Sequence, residues 1–156
     1  MNFFDLHADI PLVLDSKTPD SSVVDLISYP FKKYNQVMAI FLNEDIKNHF
    51  EVYNRRLKLA ELYLKKCNFP FLKQAVIRSN GAIFSVENAG FLSEDINMLY
   101  KLKNDGVRFL SLTWNSDNLL ASGANGCGGI TKKGKDVIKL MNELGIALDI
   151  SHLSHR

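Results

Sequence analysis

Short apolar runs alternate along the chain with longer segments in which apolar residues recur at helical spacing. A short apolar run is typical of a buried strand, and the helical spacing is typical of an amphipathic helix. The first predicted strand is the apolar run at the N-terminus, which Pro11 ends. The other predicted strands span 36–42, 82–86, 107–113 and 146–150. We therefore expect five strands, most of them buried on both faces.

Helical patterns fill most of the intervals between these strands. The predicted helices lie at about 20–27, at 46–64, at 93–104 and between Thr131 and Gly145. Ser93 and Thr131 are expected to be N-caps, and the glycines that follow the last two helices are typical of helix ends. Strands and helices that alternate in this way indicate parallel strands joined by right-handed crossovers. The predicted fold class is therefore α/β.

Polar residues stand at the C-terminal ends of three predicted strands, where parallel α/β folds build their active sites. They are His7 and Asp9, Glu87, and His152. Residues two apart in a strand point to the same face, so His7 and Asp9 are expected side by side. An imidazole nitrogen and a carboxylate oxygen suit a divalent metal, zinc above all. A His-x-Asp pair also occurs as a capping or hydrogen-bonding pair, and the spacing alone leaves both open.

Glu87 and His152 each have two interpretations. A carboxylate at the end of an apolar strand either accepts hydrogen bonds from loop amides or bridges two metal ions about 3.5–4 Å apart. His152 is either a metal ligand or a histidine bonded to backbone at a strand end. Asp149 is three residues earlier, so we expect it on the opposite face, in a structural role. His49 and His155 are expected at the surface.

Composition excludes several classes of function. The 156 residues are 46% hydrophobic and 23% charged with a net charge of +2, which fits one globular domain over 1–156. A net charge this small, on residues this scattered, argues against binding to nucleic acid. No apolar run approaches the roughly 20 residues of a membrane span. Two cysteines form no disulfide framework, and no signal-peptide pattern opens the chain. We therefore expect no membrane partner and a cytoplasmic location.

One segment nearly spells a phosphate-binding loop. Gly129 to Lys135 matches Gly-x-x-x-x-Gly-Lys, but Asp136 follows where such loops carry Ser or Thr. The segment also follows a loop, whereas the motif requires a preceding strand. Thr131 as a helix N-cap explains it better.

Several blocks of sequence together resemble one family. In order, they are His7-Ala8-Asp9, Ser85-Val86-Glu87, the block from Val107 to Asn115, Gly129-Ile130-Thr131 with Gly134-Lys135, and Met141 to Gly145 continuing to Asp149-Ile150-Ser151-His152. The sequence is similar, from its first strand to its last residue, to the membrane (renal) dipeptidases, the M19 metallopeptidases, in their soluble bacterial form.

The resemblance implies a TIM-like (β/α) barrel of the metal-dependent hydrolase type with two zinc ions. By motif, His7 and Asp9 hold the first ion, Glu87 bridges both and is catalytic, and His152 holds the second. A hydroxide formed by lowering the pKa of bound water attacks the scissile carbonyl of a dipeptide. Members of this family cleave dipeptides and tolerate a D-residue at the C-terminal position.

The chain departs from the family pattern in two ways. Trp114 replaces a substrate-contacting histidine of the animal members, so substrate binding at that position is expected to differ. The sequence also stops four residues after His152, before a further metal-binding His, a substrate-binding Arg and a late metal-binding Asp. With about five of eight strands, it corresponds to the N-terminal portion of a dipeptidase barrel.

Because the chain corresponds to only part of a barrel, three hypotheses for its function remain. In the favoured one, the chain is a zinc dipeptidase whose activity needs a homo-oligomer or a complementary C-terminal segment as partner. In the second, it is a non-catalytic fragment that acts as an oligomeric or binding module through its open sheet edges. A third, an amidohydrolase-type deacetylase or lactonase, is disfavoured by the His-x-Asp opening in place of His-x-His.

Overall fold

Five parallel strands form one curled sheet, arranged in the order in which they occur along the chain. The structure, a computed structural model, describes residues 2–16, 33–72 and 80–156. The strands are β1 (Asn2–Ala8), β2 (Lys33–Phe41), β3 (Gly81–Glu87), β4 (Val107–Ser111) and β5 (Ala147–Asp149). An α/β half-barrel of five strands, which the alternating pattern and the family resemblance predicted, is thereby confirmed.

Four α-helices are described. They are α1 (Ile10–Asp15), α2 (His49–Lys66), α3 (Met98–Asn104) and α4 (Lys132–Leu144), with a short 3₁₀ helix at Gly90–Ser93. As predicted, Thr131 caps α4 by accepting a hydrogen bond from the Gly134 amide. Gly145 ends the same helix with a φ of 67°, which favours glycine. The helix predicted near Asp20 lies outside the described residues.

The long helix predicted over 46–64 is observed as α2, whereas the helix predicted from Ser93 and the segment after β1 need correction. Ser93 does not begin a helix, because the chain first makes the 3₁₀ helix and α3 starts only at Met98. Asp95 accepts a hydrogen bond from the Asn97 amide in the intervening turn. No helix was predicted after β1, yet α1 follows it directly, with Pro11 in the first turn, where a missing amide hydrogen is tolerated.

The hydrophobic core lies between the sheet and the helices that cover its outer face. Met38 and Ile40 of β2 belong to it, together with Tyr53 and Leu57 of α2. Val37, one residue away along β2, lines a cavity on the inner face instead. Alternation along the strand thus separates a dry outer layer from an inner face that carries the polar residues. None of the helices in the described ranges combines the length and the apolar character needed to cross a membrane.

Asp15 connects α1 to α2 through ion pairs with Arg55 and Arg56. Its two carboxylate oxygens accept hydrogen bonds from Arg55 at 2.6 and 2.9 Å, and one of them also accepts from Arg56 Nε at 2.9 Å. Arg56 additionally donates to the backbone oxygen of Phe41 at the end of β2. These two arginines hold the pKa of Asp15 below its ordinary value. The cluster fixes the helix that begins directly after Asp9.

Candidate metal centre

An extra residue in β1 directs His7 toward the inside of the curled sheet. Asp5 pairs with Gln36 and Ala8 with Met38, so three steps along β1 match two along β2, as in a β-bulge. The neighbours Leu6 and His7 consequently line the same inner cavity. Ala8 packs against the core on the other face. The bulge therefore decides which face of the sheet receives the imidazole.

His7, Asp9 and Glu87 meet at the mouth of the half-barrel. His7 Nε2 lies 3.4 Å from Asp9 Oδ1 and 3.5 Å from Glu87 Oε2. One ligand atom from each of the three residues lies within 4.8 Å of the others. Asp9 occupies the N-cap position of α1, but its side chain makes no capping hydrogen bond. Helix capping therefore does not apply to Asp9, whereas a hydrogen-bonding pair with His7 fits the structure as well as a metal site does.

Glu87 joins this group to His152. The carboxylate is buried at the end of β3, with Oε1 3.1 Å from His152 Nε2 while Oε2 faces His7. Each oxygen of one carboxylate thus faces a different imidazole. The structure brings together all four residues that the sequence singled out as metal ligands, and Glu87 has the central place.

The segment after β5 turns sharply, and this places Asp149 differently from the prediction. β5 ends at Asp149, and His152 adopts a left-handed conformation with a φ of 64°. Strand alternation therefore does not extend from one residue to the other. Asp149 pairs in register with Ser111 and lines the inner cavity beside His7. The expectation that Asp149 points to the face opposite His152 was therefore wrong.

Electrostatics at this cluster favour a bound cation. The hydrogen bond with Asp9 raises the pKa of His7, and the charges of Asp9, Glu87 and Asp149 raise it further, against the effect of burial. Burial raises the pKa of Glu87, opposed by the charges of His7 and His152. Acidic groups therefore stabilise positive charge between them, and a metal ion must displace a proton to bind.

Trp114 forms part of the wall next to His152. Its ring contacts Phe41 edge-on at 5.1 Å between centroids and lies 6.2 Å from the His152 ring. His155 is exposed, as expected, whereas His49 is half-buried, stacked on Phe91 and 3.2 Å from the Asn43 carbonyl oxygen. The prediction that His49 lies at the surface was thus only partly right.

One residue beside the centre, Asn115, could not be predicted from the sequence. Asn115 Oδ1 lies 3.1 Å from His152 Nδ1. Asn115 is the last residue of the sequence block that begins at Val107, and nothing in the local sequence relates it to a histidine 37 positions later. Asp149, an acidic neighbour of the centre, was identified from the sequence but assigned to the wrong face.

Comparison with known proteins assigns the family. The family model for membrane dipeptidases, peptidase family M19, matches residues 1–156. The chain belongs to the M19 family. A dipeptidase of Schizosaccharomyces pombe, C965.12, whose activity is uncharacterised, is 34% identical over 91 residues, which are 53% of this chain and 22% of that protein.

Solved M19 structures share the fold of this chain. The metallopeptidase dipeptidase AC superimposes with a TM-score of 0.81 at 18% identity, over 99% of this chain and 59% of that one. A Rhodobacter sphaeroides metallopeptidase bound to a phosphinate mimic of L-Ala-D-Ala gives 0.81 at 17% identity, over 99% and 60%. The chain therefore spans less than two thirds of each of these two proteins. Membership of the M19 peptidase family implies a metal cofactor.

Metal affinity is expected to rise with pH through the raised pKa of His7, because only the neutral imidazole binds a metal. Asp9→Asn should bring the pKa of His7 in the metal-free chain down toward its ordinary value of 6.5, since Asp9 is the largest cause of the shift. Histidine NMR titration without metal measures this, with the exposed His155 as internal reference. A His7 midpoint at or below 6.5 in the wild-type chain would contradict the prediction.

Proposed function

We propose that this chain provides the metal-binding wall of a zinc-dependent dipeptidase. One observation carries the proposal: the Glu87 carboxylate presents Oε2 to His7 and Oε1 to His152, at 3.5 and 3.1 Å. A carboxylate between two histidines is the arrangement expected of a ligand shared by two ions. Membership of the M19 family supports the same reaction class.

The donor set fits zinc. Imidazole nitrogens and carboxylate oxygens are the ligands that zinc uses at catalytic sites. His7 and Asp9 would hold one ion, His152 the other, and Glu87 both, because their ligand atoms lie together at the barrel mouth. Zinc supplies a Lewis acid and a water whose pKa is lowered toward neutrality.

The protein residues around the centre would orient a dipeptide. The apolar wall formed by Trp114 and Phe41 stands beside His152 and would contact a substrate side chain. The carboxylate of Asp149 lies on the inner face near His7 and would repel the carboxyl end of a peptide bound against it. A dipeptide of the L-Ala-D-Ala type is a reasonable first substrate, since a solved relative holds its phosphinate mimic.

A non-catalytic binding module is the second candidate, because the inner face is open. A cavity of about 330 Å³ there is lined in part by Leu6 and Ile150, residues that are 70% and 73% exposed. These residues belong to β1 and to the segment after β5, at the two ends of the five-stranded sheet. In this case the chain would bind zinc without cleaving peptides.

Native mass spectrometry with added zinc, paired with an assay of L-Ala-D-Ala hydrolysis, tests the proposal. Two zinc ions per chain and hydrolysis that is lost in His152→Ala would support it. His155→Ala changes an exposed histidine and is the matched control. Zinc binding without hydrolysis, both as a homo-oligomer and with a complementary C-terminal segment supplied, would favour the binding module. No zinc binding by the wild-type chain would overturn the metal centre itself.

A further inference from the structure

The His152 ring is held from behind by the loop that follows β4. Thr113 Oγ1 donates a hydrogen bond to the His152 carbonyl oxygen at 3.0 Å, which fixes the backbone at the turn. Asn115 Oδ1 lies 3.1 Å from the ring Nδ1. The left-handed φ of 64° at His152 is unfavourable for a residue with a Cβ, so these contacts have to retain it.

The contact with Asn115 determines which ring nitrogen carries the proton. An amide oxygen can only accept a hydrogen bond, so Nδ1 must be the N–H donor in this contact. In the neutral ring, Nε2 then presents its lone pair toward Glu87 Oε1, 3.1 Å away. Two electron-pair donors facing each other at this distance need either a proton or a metal ion between them. The tautomer that Asn115 selects is therefore the one that a metal requires.

We propose that Asn115 is a positioning residue for the second metal ion, acting through the tautomer and orientation of His152. This inference rests on the proposed function, since it assigns a role in the same metal centre. A hydrogen-bonded partner on the second ring nitrogen of a histidine ligand raises the basicity of the ligating nitrogen and fixes the ring plane. Asn115 is chemically suited to this role and Trp114, its neighbour, is not.

The loop around Asn115 is held by contacts that do not involve its side chain. Glu44 accepts hydrogen bonds from the Ser116 backbone amide and hydroxyl, both at 2.7 Å. The backbone N–H of Asn125 donates to the backbone carbonyl oxygen of Asn115 at 2.9 Å. Farther along, Gly123 pairs with Leu153 in an antiparallel bridge. Truncation of the Asn115 side chain should therefore leave the loop in place while it releases the imidazole.

The experiment compares Asn115→Ala with Asn115→Asp, which keeps an acceptor oxygen. Asn125→Ala, at an exposed position in the same loop, is the matched control. Long-range ¹⁵N NMR of the metal-free chain at pH 9, well above the ordinary pKa of imidazole, reports the His152 tautomer, with His152→Gln to assign its signal. We expect Nδ1–H in the wild type, Asn115→Asp and Asn125→Ala. Asn115→Ala should shift to Nε2–H, which Glu87 Oε1 would accept.

Zinc titration gives the second readout. Asn115→Ala should weaken the binding of one ion, the one held by His152, by about 10–100-fold and leave the other nearly unchanged, while Asn115→Asp restores the affinity. An unchanged tautomer in Asn115→Ala, or an Asn115→Asp variant as impaired as Asn115→Ala, would overturn the proposal. A wild-type chain that binds no zinc would overturn the proposed function, and the NMR measurement would then decide separately whether Asn115 sets the tautomer.

Discussion

Glu87→Gln is expected to weaken strongly the binding of both proposed metal ions without weakening the metal-free fold. The substitution keeps the shape of the side chain but removes the negative charge that faces both His7 and His152. Loss of an outer-shell partner already costs about 10–100-fold in metal affinity, so loss of a shared ligand should exceed about 100-fold for each ion. Competition titrations against a chromophoric chelator measure this affinity.

Stability of the metal-free chain should not fall in the same variant, because Glu87 is only 9% exposed and burial raises its pKa. A carboxyl whose pKa is higher in the folded than in the unfolded state opposes folding once it is ionised, and glutamine carries no charge to desolvate. Thermal unfolding in EDTA at pH 8 tests this, with Glu143→Gln on the exposed face of α4 as control. Unchanged zinc affinity would count against a metal-binding role, and a clearly lower unfolding temperature would contradict the cost assigned to burying the Glu87 carboxylate.

Asp15→Ala is expected to destabilise the fold by about 3 kcal/mol, because it leaves the guanidinium of Arg56 buried without its counter-charge. The side chains of Asp15 and Arg56 are each only 10% exposed. The other partner, Arg55, is 50% exposed, and Arg55→Ala should cost no more than about 1 kcal/mol. Urea unfolding of the three proteins gives the free energies directly.

The effect of Asp15 should depend on pH in a defined direction. Its pKa is lowered by Arg55 and Arg56, so the stabilisation is fully present above the ordinary value of 3.8 and is lost as the pH falls through the lower folded value. The difference between the wild type and Asp15→Ala should therefore shrink in acid. The double variant Asp15→Ala/Arg56→Met removes the unpaired charge and should recover part of the loss. A constant difference down to pH 2 would contradict this account.

Much of the fold could be predicted from the local pattern of the sequence, because burial of apolar runs and helix capping depend on residues that are close together in the chain. Apolar runs such as 36–42 and 82–86 must be buried wherever they lie, and parallel strands bring their C-terminal ends to one edge of a sheet. The sequence therefore predicted the five strands, their parallel order and the meeting of Glu87 with the histidines. The cap at Thr131 was equally predictable, because an N-cap bonds only to an amide in its own first turn.

Long-range contacts decided the rest. Simple alternation from Phe3 places Asp5 and His7 on one face, but pairing with β2 inserts a bulge between Asp5 and Ala8. As a result His7 lines the inner cavity together with its neighbour Leu6. Likewise, the left-handed turn at His152 depends on Thr113 and Asn115, which are 39 and 37 residues away, and no local spacing predicts such a turn. The sequence by itself determined which residues reach the barrel mouth. Only the tertiary structure decided the face toward which each side chain points, because register and turn conformation depend on the neighbouring strand or loop.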